Sequence, residues 1–149
     1  WDGGFIRGST SLVEDGDEIK LYYTAIDSAH GSPKKGEWKR AIGMVRWRKD
    51  GFVGLTSTGR GEVVTVPTSS GRELHINADA SRGNVTAELL DDAGAAVPGF
   101  DSASCAAMTG DSLDHALSWK HGGRAAAPGR TRSVRLKLQD AEVFSLWWE

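Results

Sequence analysis

The chain has 149 residues, with 18 basic against 20 acidic side chains and a net charge of −2, a balance that implies no long-range attraction to nucleic acid or to an anionic membrane. At this length roughly 70% of the unfolded surface can be buried, enough for a core without staples. The single cysteine, Cys105, excludes an internal disulfide framework and any multi-cysteine metal site, and no apolar run approaches the roughly 20 residues needed to cross a bilayer.

The chain opens at Trp1 rather than methionine, directly in strand-and-turn material, and no charged-then-apolar leader is visible. The expectation is that residues upstream have been removed or left out. Residues 1–8 are a Gly-rich entry. Residues 11–13, the turn Glu14-Asp15-Gly16-Asp17 and residues 18–24 then read as a hairpin, because Ile19, Leu21 and Tyr23 alternate with Lys20, Tyr22 and Thr24. Residues 27–39, polar and lysine-rich, form an exposed connection longer than a usual hairpin loop. A third strand follows over 38–48, with Ala41, Gly43, Val45 and Trp47 on one face. Three antiparallel strands of this kind are the content of a β-propeller blade short of its usual four, and such a unit cannot bury its own surface.

Asp50-Gly51 is a turn signal. It closes the first part, residues 1–48, and opens a second, 49–149, whose first strand is expected at 52–55. Further strands are read at 61–66, closed by Pro67, and at 73–80, with Leu74, Ile76 and Ala78 inward and His75, Asn77 and Asp79 outward. Others fall at 84–90, with Val85, Ala87 and Leu89 opposite Thr86, Glu88 and Leu90, and at 114–120, with Leu117 and Trp119 on one face. Residues 91–94 turn the chain, 97–100 are a short extended segment, and 125–129 are a small-residue crossing loop. Residues 133–139 show the cleanest alternation, Val134, Leu136 and Leu138 against Arg135 and Lys137, and 142–148 close on an aromatic strand. Seven or eight short strands with turns between them, and no sustained 3.6-residue period, predict an all-β chain: an antiparallel β-sandwich preceded by a partial β-propeller blade. Cys105 reads as a buried small hydrophobe.

The order and spacing of several runs also resemble a known family. The runs Asp50-Gly51-Phe52-Val53-Gly54-Leu55, Leu74-His75-Ile76-Asn77-Ala78-Asp79, Val85-Thr86-Ala87-Glu88-Leu89-Leu90-Asp91, Pro98-Gly99-Phe100, Gly110-Asp111-Ser112, Trp119-Lys120 and the closing stretch from Val134 to Leu146 are similar to the C-terminal β-sandwich of glycoside hydrolase family 32-like proteins. Trp1-Asp2-Gly3-Gly4 through Tyr22-Tyr23 resembles the last blade of the five-bladed propeller that precedes it. The resemblance implies a glycan-active protein, secreted or periplasmic, whose two catalytic carboxylates lie on earlier blades. No catalytic residue carries over to a position of this chain, so this chain alone is not expected to hydrolyse a sugar, and no cofactor is implied. Its partners would be carbohydrate and the propeller region upstream or on a partner chain, not nucleic acid and not membrane.

Candidate binding residues fall in two groups. Asp2, Arg7 and His30 stand at a blade entry and a long loop, which ring the central pocket of propellers; a carboxylate, a guanidinium and an imidazole suit sugar hydroxyls, or in the case of His30 a structural metal. The ordinary alternative is a turn aspartate, a solvated arginine and a loop histidine. His75, Asn77 and Asp79 point together from one strand, and Arg135 and Lys137 would join them if their strand paired nearby. The ordinary alternative, and the favoured one, is the solvated outer face of a sandwich. Asp111, Asp114, His115 and His121 are a metal cluster only on paper, since no pair has zinc-motif spacing. Trp147-Trp148 could offer a stacking platform, but alternation puts at least one of them in a core, where Trp119 also belongs. Three functions remain open at this point. They are the non-catalytic end of a glycosidase-like protein, a free-standing carbohydrate-binding or lectin-like module, and a structural sandwich without ligand.

Overall fold

In a computed structural model of the chain, residues 1–32, 38–120 and 130–149 are described. The fold is all-β, and the chain divides into two compact units, Trp1–Phe52 and Val53–Glu149. No helix among the described residues is long and apolar enough to cross a membrane. The crossing loop expected at 125–129 and most of the connection expected at 27–39 lie outside the described residues.

Unit 1 is an antiparallel sheet of β1 (Ile6–Gly8), β2 (Val13–Asp15), β3 (Glu18–Ile26) and β4 (Arg40–Arg48). β3 pairs with β4 along its whole length, from Glu18↔Arg48 to Ile26↔Arg40. Its other edge is shared in tandem by β1, from Ile6↔Ala25 to Gly8↔Tyr23, and β2, from Val13↔Lys20 to Asp15↔Glu18. The sheet is therefore three strands wide, with one edge strand broken in two. Asp50, at φ 54°, turns the chain out of β4, and the Gly51 N–H donates to the Arg48 carbonyl at 3.0 Å.

Unit 2 carries β5 (Leu55–Thr56), β6 (Arg60–Val64), β7 (Thr68–Ser69), β8 (Leu74–Leu90), β9 (Met108–Ala116), β10 (Thr131–Gln139) and β11 (Glu142–Trp148). The two strands expected at 73–80 and 84–90 are one 17-residue strand, β8. Its second half pairs with β10, from Asn84↔Gln139 to Leu90↔Ser133, and its first half with β11, from Asp79↔Glu142 to Leu74↔Trp148. On the next tier outward β6 continues β10's edge and β5 continues β11's. β9 lies along the opposite edge of β8's first half. Three neighbouring tiers thus bend at one level, and the sheet curls over into a sandwich around a single core.

The bend has local causes. The Asp140 N–H donates to the Gly59 carbonyl at 2.9 Å, and the Gly59 N–H donates to Asp140 Oδ1 at 2.7 Å. Asp140 itself sits at φ 45°. At the same level Gly83 passes so close to β10 that an added Cβ would lie 1.8 Å from the Gln139 carbonyl oxygen, a close approach that marks a sheet corner. Inward alternation shifts phase across the corner, from Leu74, Ile76, Ala78 and Ala80 to Val85, Ala87 and Leu89, and from Val134, Leu136 and Leu138 to Ala141 and Val143. Both halves therefore face one core, which Met108, Leu117, Trp119 and Cys105 complete. Trp119 Nε1 donates to the Ala87 carbonyl at 3.0 Å, and Phe100 packs edge-on against the indole at 5.3 Å. Cys105 is buried as expected, its thiol pushed up by that burial.

Two further strand expectations are corrected. The first strand of unit 2 is Leu55–Thr56 rather than 52–55, with Phe52 and Val53 exposed ahead of it. The strand expected at 114–120 is Met108–Ala116. Gly110, at φ 79°, interrupts its pattern, and Leu117 and Trp119 belong to the segment just after it.

Candidate functional site

Among the described residues, a group of three possible metal-ligating side chains lies at the open end of β8 and β11. Trp147 pairs with His75 and Trp148 with Leu74, and the Glu149 N–H donates to the Glu73 carbonyl at 2.9 Å, which sets Glu149 across from Glu73. A period of two along each strand then brings Glu73, His75, Trp147 and Glu149 to one face, while Leu74, Ile76 and Trp148 go to the core. From the other edge β9 adds Asp114, two residues before Ala116, the partner of His75.

His75 is 7% exposed. Its Nδ1 donates to Asp114 Oδ1 at 2.5 Å, and its ring stacks on Trp147 with centroids 5.5 Å apart. Nε2 lies 3.5 Å from Glu73 Oε2 and 3.6 Å from Glu149 Oε2, and it is buried without a hydrogen-bond partner. One imidazole nitrogen is thus held by a carboxylate, while the other looks into a gap between two more.

This corrects the expected solvated face. His75 and Asn77, at 7% and 1% exposed, are buried, because β8 is flanked on both edges and Trp147 covers the imidazole. Asn77 lies across from Ser145. Asp79 is half-buried and its Oδ1 accepts from the Ser81 N–H at 2.9 Å, a local cap at the approach to the corner. Arg135 and Lys137 do not join this set, since β10 pairs with the second half of β8.

There they meet Glu88. This carboxylate, 5% exposed, accepts from Arg135 Nη1 at 2.8 Å, from Lys137 Nζ at 2.6 Å and from the Ser102 N–H at 3.3 Å. Burial pushes its pKa up, but the hydrogen bonds from Lys137, Arg135 and Ser102 outweigh it and bring the group from its ordinary 4.5 down to about 2. Beside this lattice an open depression of about 520 Å³ runs over β6, β8 and β10, lined by Arg60, Glu62, Asn84, Thr86, Lys137 and Gln139.

In unit 1 the structure sets Arg7 and His30 each against Phe5, and Asp2 elsewhere. The Arg7 guanidinium lies 6.0 Å from the centroid of Phe5, and His30 lies 4.9 Å from the same ring. Asp2 instead accepts from the Tyr23 hydroxyl at 3.0 Å. Arg7 pairs with Thr24, so Tyr23, its neighbour in β3, points to the other face.

Of the paper metal cluster, Asp114 goes to His75, Asp111 pairs with Asp79 and His115 with Ile76, while His121 lies outside the described residues. Trp148 packs against the core and Trp119 lies within it. Sequence reasoning missed Glu73, Glu149 and Glu88. The spacing Glu73-x-His75 was available as a signal, but the partner Glu149 emerges only once the β8–β11 register is known. Comparison of the chain with protein-family models, with curated proteins and with solved structures finds no significant match.

Proposed function

We infer that the chain is the non-catalytic, C-terminal portion of a glycoside hydrolase family 32-like protein, a propeller-blade unit followed by a β-sandwich that braces the propeller and binds carbohydrate. The observation that carries the binding role is the polar depression on β6, β8 and β10. Amide, hydroxyl, guanidinium and carboxylate groups stand there on strands rather than loops. The Glu88 lattice fixes Lys137 at its rim, and such a fixed mix of donors and acceptors matches the hydroxyls of a sugar.

The bracing role is supported by unit 1. Ile6, Ile42, Met44 and Val45 are exposed, at 52%, 74%, 43% and 38%, and among the described residues β4 has no partner on its second edge. A sheet this narrow needs cover from elsewhere. One observation favours a free-standing carbohydrate-binding module instead: unit 2 closes its own core from its own strands.

A glycan-array screen of the chain, followed by calorimetry on each hit, tests the binding role. The expected result is binding to one class of glycan that falls about fivefold or more in Asn84→Ala and Thr86→Ala, since each removes a directional contact worth about 1 kcal/mol. No hit, or a hit indifferent to both substitutions, would remove carbohydrate binding by this face.

A further inference from the structure

Glu73, His75 and Glu149 offer one nitrogen and two carboxylate oxygens that all lie within 4.8 Å of one another. An acidic cluster alone would say little, but here the imidazole is 91% buried as a side chain (9% exposed) and its Nε2 has no hydrogen-bond partner. Asp114 accepts the Nδ1 proton, which leaves Nε2 facing the gap between Glu73 and Glu149 as the ring's atom for an ion. That is the arrangement by which a carboxylate behind a histidine fixes its tautomer and makes it a better metal ligand.

The distances suit an ion. Ligand bonds of about 2.0–2.2 Å in a tetrahedron separate neighbouring donors by roughly 3.3–3.6 Å, and Nε2 stands 3.5 Å and 3.6 Å from the two glutamate oxygens. The donor set also selects among cations: an imidazole favours zinc and its first-row neighbours, whereas calcium and magnesium sites are built from oxygen. The ion would neutralise carboxylates that otherwise crowd one another around a single imidazole.

We propose that Glu73, His75 and Glu149 form a binding site for a divalent first-row transition ion, zinc foremost, with Asp114 as the positioning residue behind His75. The ion ties the start of β8 to the end of β11. Three protein ligands leave a fourth position for water or for an oxygen of a bound ligand, and the Trp147 ring flanks the site through its stack on His75.

The test is calorimetric titration of zinc chloride into the untagged chain after dialysis against a chelator, with cobalt chloride titrated in parallel and read by visible absorption. One ion per chain is expected, with cobalt giving the intense bands of four-coordinate geometry. Glu73→Gln and Glu149→Gln change half-exposed and exposed side chains and should leave the fold intact while weakening zinc at least tenfold. Asp114→Asn should weaken it by about 10–100-fold, and His30→Ala should leave it unchanged. His75→Gln should abolish binding, and the glutamate variants stand in for it should that chain fail to fold. Absence of zinc binding in the parent chain, or binding unchanged in both glutamate variants, would overturn the site. Retained glycan binding in the glutamate variants would keep this result separate from the fate of the β6–β8–β10 depression.

Discussion

A carboxylate shut away from water keeps its charge only when cations and N–H groups replace the lost solvent. Glu88 meets that condition through Lys137, Arg135 and Ser102, which bring its pKa down to about 2. The sign follows from the depressed value. Stabilisation from Glu88 is fully present above its ordinary pKa of 4.5, and it is lost as pH falls through about 2. The gap of about 2.5 pH units corresponds to about 3 kcal/mol. Glu88→Gln should therefore cost about 3 kcal/mol at neutral pH, and urea melts repeated from pH 6 to pH 2 should show the parent approaching the variant only across the acid window. A parent and variant that stay equally far apart down to pH 2 would mean that packing, not charge, is what Glu88 supplies.

At the scale of elements the corner decides the fold, and it makes unlike demands on two glycines. An alanine Cβ at Gly83 meets the Gln139 carbonyl, which belongs to the backbone of a paired strand and cannot step aside. At Gly110, φ 79°, the same Cβ meets nothing within 4 Å, and only the backbone conformation is strained. Gly110→Ala should cost about 1–2 kcal/mol, whereas Gly83→Ala should cost roughly 3 kcal/mol or more, the upper range of overpacking. Equal losses in chemical denaturation would mean that β8 and β10 can separate at the corner without opening the core. The same corner explains what the sequence could and could not tell. Alternation located most of the core of β8 and β10, missing Ala80 and the burial of Leu90, because burial imposes a period of two on each half strand. It divided β8 in two because Ser81-Arg82-Gly83 has the composition of a turn, and a bend between paired halves differs from a hairpin only in which strands lie alongside. The candidate site was harder to read for a related reason. His75 was visible as a member of an alternating face and Glu73 stood two residues before it, but the burial of His75 and the approach of Glu149 depend on β11 lying along the first half of β8, a pairing of distant segments that no local pattern encodes.

Across the whole chain the two units differ in how they hold themselves together. Among the described residues unit 2 gathers a continuous buried cluster from Leu74 to Val143, whereas the buried apolar side chains of unit 1 are Ile19 and Ala25. Burial of apolar surface contributes about 25 cal/mol per Å², so a sheet that keeps Ile6, Ile42, Met44 and Val45 in water gains little beyond its ladder hydrogen bonds, each worth about 1 kcal/mol net. Local opening should accordingly be easy in unit 1 and approach global unfolding in unit 2. Native-state hydrogen exchange on the chain should show the amides of β3 exchanging on the order of 100-fold faster than those of β8 and β10, and mild denaturant should melt unit 1 first. This outcome is what the proposed reading of unit 1 as one blade of a propeller requires. Protection of β3 equal to that of β8 would mean that unit 1 holds its own structure without further blades, and the reading of the chain would then pass from the end of a propeller enzyme to a self-sufficient carbohydrate-binding module.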